Sequence, residues 1–146
     1  MSAAVEARPR SRGRSVRAIA AGFLAVALLS TLADGVMHGA GVFPPWGQVM
    51  TDGMFVVATL YRVVFTVLGG YLTARLAPDR AQRHVLILGA AGTAVALLGV
   101  LAWSQGGPEL GPAWFPLTLV VTALPSVWLG GWLRWSREAA ASAAVR

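Results

Sequence analysis

The chain has 146 residues, of which 56% are hydrophobic and only 12% charged. Its mean hydropathy of +0.64 excludes an ordinary soluble domain and places it among integral membrane proteins. The absence of cysteine excludes disulfides and thiol chemistry, and the formal charge of +6 rests on twelve arginines that flank apolar segments, an orientation signal and not a nucleic-acid surface.

Residues 1–17 carry Arg8, Arg10, Arg12, Arg14 and Arg17 among Ser, Ala, Gly and Pro. With no apolar periodicity, this stretch reads as a disordered basic cytoplasmic arm that touches anionic headgroups at about 1 kcal/mol per arginine. No aromatic residue interleaves the arginines to stack on bases, so no nucleic-acid partner is expected. The first apolar span covers residues 18–37. A basic leader, an apolar run and Ala33 also fit a cleavable signal peptide, but the length of the run favours an uncut span. In that span Ala20, Ala27, Thr31, Asp34 and His38 share one face, which is expected to pack against the second span.

Residues 39–53 contain Pro44-Pro45, which cannot continue a helix, and Phe43 and Trp46 suit the headgroup layer. The second span, about 54–76, is the one around which the others are organised. On a helical wheel Asp52, Thr59, Arg62, Thr66, Gly69, Gly70 and Thr73 fall within an arc of about 100°. An arginine facing lipid at this depth costs at least ~2.5 to 3.5 kcal/mol, so the polar side must look into the protein. LAPDRAQRH then forms a turn carrying Arg75, Arg80 and Arg83.

The third span, about 84–103, has Gly89, Gly92, Ala96 and Gly99 on one face. Small residues let backbones approach closely, which predicts the tightest packing here and a surface for a homo-oligomer or another membrane protein. Residues 104–112 form a loop. The fourth span, about 113–134, has Pro116 in its first turn and Pro125 inside, which frees the carbonyl of Val121 and is expected to bend the helix beside Thr118, Thr122 and Ser126. Trp128, Trp132 and Trp135 anchor its exit, and residues 136–146 form a short cytoplasmic tail.

Eleven of the twelve arginines lie in the N-terminal arm, the middle turn and the C-terminal tail, and the twelfth is Arg62. The positive-inside rule then puts both termini in the cytoplasm. The fold class is an all-α membrane protein, a four-transmembrane-helix bundle. LGGYL at residues 68–72 and LGGWL at 129–133 each close a span and suggest two tandem helical hairpins in one orientation.

The blocks YRVVFTVLGGYLTARLAP, RHVLILGAAG and GPAWFPLTLVVTALPSVWLGG resemble small uncharacterised four-span inner-membrane proteins of bacteria. The resemblance covers residues 54–134 and rests on Gly69, Gly70, Ala74 and Arg75 and on the proline in the last span. It implies a fold and a location, and it brings no activity, cofactor or catalytic residue with it.

No phosphate-cradling glycine loop, nucleophile elbow, carboxylate pair or zinc motif is present, so neither an enzyme nor a cofactor is expected. The informative constellation is Asp34, His38, Asp52 and Arg62, near the outer mouth. Asp34 is the natural partner for Arg62, since both sit at similar depth. The first reading is an interhelical ion pair that fixes register. The second is a site for an anion, a proton or a small polar solute, as in a small transporter or channel-like protein. A lesser variant places copper(I) on Met37, His38, Met50 and Met54.

Overall fold

The structure, a computed structural model, describes residues 12–144. It contains α1 (Arg12–Gly39), α2 (Asp52–Leu76), α3 (Ala81–Gln105) and α4 (Trp114–Ala144), with a single 3-10 turn at Pro108–Leu110. All four α-helices are long and apolar enough to cross a membrane, and there is no strand among the described residues. The chain is an all-α four-helix bundle.

Two helices run further than their apolar spans. Arg12, Arg14 and Arg17 belong to α1, so residues 12–17 of the expected disordered arm are helical. Residues 1–11 lie outside the described residues. Once the apolar run is helical, each added residue gains a backbone bond without a new nucleus, and arginine is a good helix former. For the same reason α4 continues through the Ala-rich segment to Ala144, assisted by an ion pair from Arg134 to Glu138 one turn later.

The centre of the bundle is the crossing of α2 and α4. A Cβ placed on Gly70 would run into the backbone of Val127, and one placed on Gly130 would run into the carbonyl of Val67 and the amide of Tyr71. Nearer the N-terminal ends of the same helices, the rings of Phe55 and Phe115 lie 4.8 Å apart. The contacts advance together along both chains, so α2 and α4 are parallel. They are also reciprocal: each helix offers a glycine to the backbone three residues before the other helix's glycine. That relation is a local pseudo-two-fold axis along the helices.

The contact between α1 and α2 is closest near the N-terminal end of α1 and the C-terminal end of α2. Thr73, fully buried, donates from Oγ1 to the carbonyl of Ala18 on α1 at 3.2 Å, and Gly22 sits against Gly69 and Thr73 so closely that no side chain fits. The contact face of α1 is therefore Ala18, Gly22 and Val26. The expected face differs: Ala20, Ala27 and Thr31 are exposed, because α1 meets α2 along the stripe Ala18, Gly22, Val26 and Asp34, of which only Asp34 belongs to the expected face. Below that crossing Ala74, Val85, Leu88 and Val127 form the core, with Ile19, Ala81 and Trp135 packed on it.

The third span does not pack as its glycines suggest. A Cβ on Gly89 would meet Leu124 at 3.4 Å, but one on Gly92 or Gly99 would meet nothing within 4 Å. The tightest contact in the bundle is between α2 and α4, and Gly92, Ala96 and Gly99 face a cavity. Nor do the threonines of α4 serve the carbonyl that Pro125 releases. Thr118 and Thr122 donate to the carbonyls of Trp114 and Thr118, each at 2.7 Å.

Just before α4, Gly111 adopts φ +86 with the Phe55 ring lying where its Cβ would be. Its carbonyl accepts a 2.8 Å hydrogen bond from Trp103 Nε1. Gly111→Ala therefore carries both a left-handed backbone penalty of about 1 to 2 kcal/mol and displacement of the ring. Gly41→Ala, at φ +73 with nothing within 4 Å, carries the backbone penalty alone. Thermal melting in detergent should show the larger loss for Gly111→Ala, and equal losses would mean that the Phe55 contact is unimportant.

Candidate functional site

Arg62 lies near the middle of α2 and cannot be left to lipid. Its neighbours on the polar stripe are already engaged: Thr59 Oγ1 donates to the carbonyl of Phe55 at 2.9 Å and Thr66 Oγ1 to that of Arg62 itself at 2.7 Å. Those bonds stay within the helix, as hydroxyls at this spacing commonly do. The counter-charge comes from α1, where Asp34 Oδ2 accepts from Arg62 Nη2 at 2.6 Å.

The pair is a triad. The Tyr61 hydroxyl donates to Asp34 Oδ1 and accepts from Arg62 Nη1 at 3.3 Å, so both carboxylate oxygens are occupied and two helices are clamped at one depth. The guanidinium carbon also lies 5.8 Å from the Phe115 ring centroid and 5.5 Å from that of Tyr61, within range of cation–π attraction. Side-chain exposure is 26% for Arg62 and 21% for Asp34, so neither group is sealed off.

The remaining members of the outer-mouth constellation do not join the triad. His38 turns toward the loop that follows α1, donating from Nδ1 to the carbonyl of Pro44 at 2.5 Å and stacking on Trp46 with ring centroids 3.7 Å apart. Phe43, buried, meets the same imidazole edge-on. Asp52 is exposed at the start of α2 and forms no salt bridge among the described residues. Those residues also contain no group of three or more His, Cys, Asp or Glu placed to hold a metal ion.

Beside the triad lies a cavity of about 500 Å³. Its shape follows from how α1 and α3 are attached. They meet near their N-terminal ends, where Ile19 packs on the Val85 and Leu88 cluster, and then part. Between them runs a groove whose floor is α2 and α4. Phe23 and Val26 line one wall and Val95 and Gly99 the other, and Trp103 and Phe115, from the C-terminal end of α3 and the N-terminal end of α4, line it as well. The lining is hydrocarbon apart from Arg62 and a few hydroxyls that include Ser30 and Thr122.

Sequence reasoning anticipated the partners Asp34 and Arg62 but missed Tyr61 and the groove. A tyrosine beside an intramembrane arginine was the available signal, because its hydroxyl needs a partner at the same depth. Nothing local in the sequence marks a groove. Comparison with family models, curated proteins and solved structures finds no match for this chain. Its function therefore has to be read from the triad and the space next to it.

Proposed function

We propose that this chain is a small multi-pass protein of the bacterial inner membrane, without enzymatic activity, acting as a structural or interaction subunit with both termini in the cytoplasm. The observation that carries the reading is the state of Arg62. A carboxylate and a phenol hold it, and the space at its side is lined by hydrocarbon, which suits an apolar partner and offers a hydrated solute no continuous set of polar groups. Its partners are the bilayer and other apolar membrane components.

The transport alternative makes a contrasting prediction. Proteoliposomes holding the purified chain should leak chloride and protons no faster than empty vesicles. A flux carried by the wild type and lost in Arg62→Gln would overturn the structural reading in favour of transport.

Topology is tested separately. The arginine-free loops at residues 39–53 and 104–112 should place reporter fusions after Gly41 and Gly107 outside, and fusions after Asp79 and Arg146 in the cytoplasm. An external C-terminus would refute the assigned orientation.

A further inference from the structure

Apart from Arg62, every arginine among the described residues sits at one end of the bundle, where α1 and α3 begin and α2 and α4 finish. Arg12, Arg14 and Arg17 belong to α1 and Arg75 to α2. Arg80 and Arg83 stand at the start of α3, and Arg134 and Arg137 lie in α4. Their heights follow from the contacts between helices: Thr73 bonds to Ala18, Gly70 and Gly130 each face the opposite helix, and Gly131 lies against Val85. Counted from those contacts, the eight arginines fall within about six residues of one another along the direction of α2, a belt about 9 Å thick. All four helices contribute, so the belt runs around the whole bundle.

The charge of this belt is largely unanswered. Its only acids among the described residues are Asp79 and Glu138, and Glu138 is already paired with Arg134. Eight guanidiniums against two carboxylates leave a surplus of six positive charges. The opposite end carries Asp52 and Glu109 and no arginine. Directly beside the belt, Leu76, Leu86 and Trp132 expose apolar surface on α2, α3 and α4. A partner for this surface must therefore offer anionic oxygen next to hydrocarbon. A nucleic acid or a soluble phosphate supplies only the first, whereas a phospholipid supplies both. The scale agrees with a lipid: about 20 residues of α2 separate Thr73, at the edge of the belt, from Gly53, which is about 30 Å. That is the thickness of a hydrocarbon core, and the headgroup layer beyond it is roughly 5 to 8 Å deep.

Resting on the membrane reading above, we infer that the belt is a binding surface for anionic phospholipids of the phosphatidylglycerol type, which it holds in preference to zwitterionic ones. Phosphodiester oxygens accept from guanidinium N–H groups in paired, charge-assisted bonds, and the acyl chains lie against Leu76, Leu86 and Trp132. A zwitterionic lipid brings its own cation to the same arginines and loses that attraction. The selectivity belongs to one leaflet, because the end with Asp52 and Glu109 offers no cation to a phosphate.

The test uses the full chain in phosphatidylcholine vesicles with a trace of lipid spin-labelled on its acyl chain. Electron paramagnetic resonance reads the motionally restricted fraction at the protein perimeter. One arginine contact corresponds to about fivefold in affinity, so labelled phosphatidylglycerol should be enriched over labelled phosphatidylcholine about fivefold at the belt, or about threefold averaged over both leaflets. High salt should bring the wild-type ratio toward one. A triple variant with Arg17→Gln, Arg75→Gln and Arg83→Gln should lower the ratio by about half, with the restricted fraction of phosphatidylcholine unchanged as the sign of an intact bundle. Equal restriction of the two lipids by the wild type would overturn the inference and leave the membrane reading standing. A preference indifferent both to salt and to the triple variant would overturn it too, and its loss on adding inorganic phosphate at constant ionic strength would replace the lipid with a soluble anion. Absence of any restricted fraction, for either lipid, would sink the membrane reading together with the inference.

Discussion

Asp34→Ala and Arg62→Ala should each cost about 3 to 5 kcal/mol, because each leaves the opposite charge at membrane depth without its partner. Asp34 would be abandoned beside the Tyr61 hydroxyl, and Arg62 beside Phe115 and a hydrocarbon groove. The double variant should lose much less than the sum, since removing both charges removes the desolvation problem along with the attraction. Tyr61→Phe deletes one neutral donor and should cost only ~1 kcal/mol. Folded yield and detergent melting of the four variants measure the cycle. Strict additivity of the two alanine losses would show that the ion pair contributes nothing specific, and normal folding of both single variants would mean that water already solvates the arginine.

Gly130→Leu and Gly70→Leu should also prevent normal assembly, for a steric reason. At both positions a Cβ would meet backbone atoms of the facing helix, and backbone cannot rotate aside as a side-chain tip can. Overpacking of a core ordinarily costs ~1 to 3 kcal/mol, and a backbone obstacle in the central crossing belongs at or above the top of that range. Gly92→Leu is the internal control, with nothing within 4 Å. The three variants are compared by monodispersity on gel filtration and by melting temperature. A fold that tolerates Gly130→Leu would remove the crossing of α2 and α4 as the organising contact.

The spans and the meeting of Asp34 with Arg62 were legible because membrane physics leaves few alternatives: long apolar runs must be helices, and a charge at depth needs an opposite charge at the same depth. The packing faces were less legible. Gly92 and Gly99 carry the same small-residue signature as Gly69 and Gly70, since a smooth helix face looks identical in sequence whether a backbone or empty space lies against it. Only the partner decides. In α1, the polar residues Thr31, Asp34 and His38 drew attention to one side, yet Thr31 is exposed and His38 turns to its own loop. Asp34 reaches Arg62, while the helix itself docks several turns earlier through Gly22. Tyr61 escaped notice because a helical wheel places it off the stripe that carries Arg62. Its hydroxyl nonetheless extends far enough to reach Asp34.

The reciprocal notches of α2 and α4 also impose an order on biosynthesis. Gly70 and the backbone it touches at Val127 are separated by 57 residues, and at roughly 5 to 20 residues per second that separation lasts ~3 to 11 s on the ribosome. During that interval the α1–α2 hairpin can already be inserted and joined through Gly22 and Gly69, while the notch at Gly70 stands open to whatever neighbours it in the bilayer. Translation speed across the α3 region thus becomes a lever on yield: synonymous codons that slow it lengthen the exposure of a helix whose mate has not yet been made.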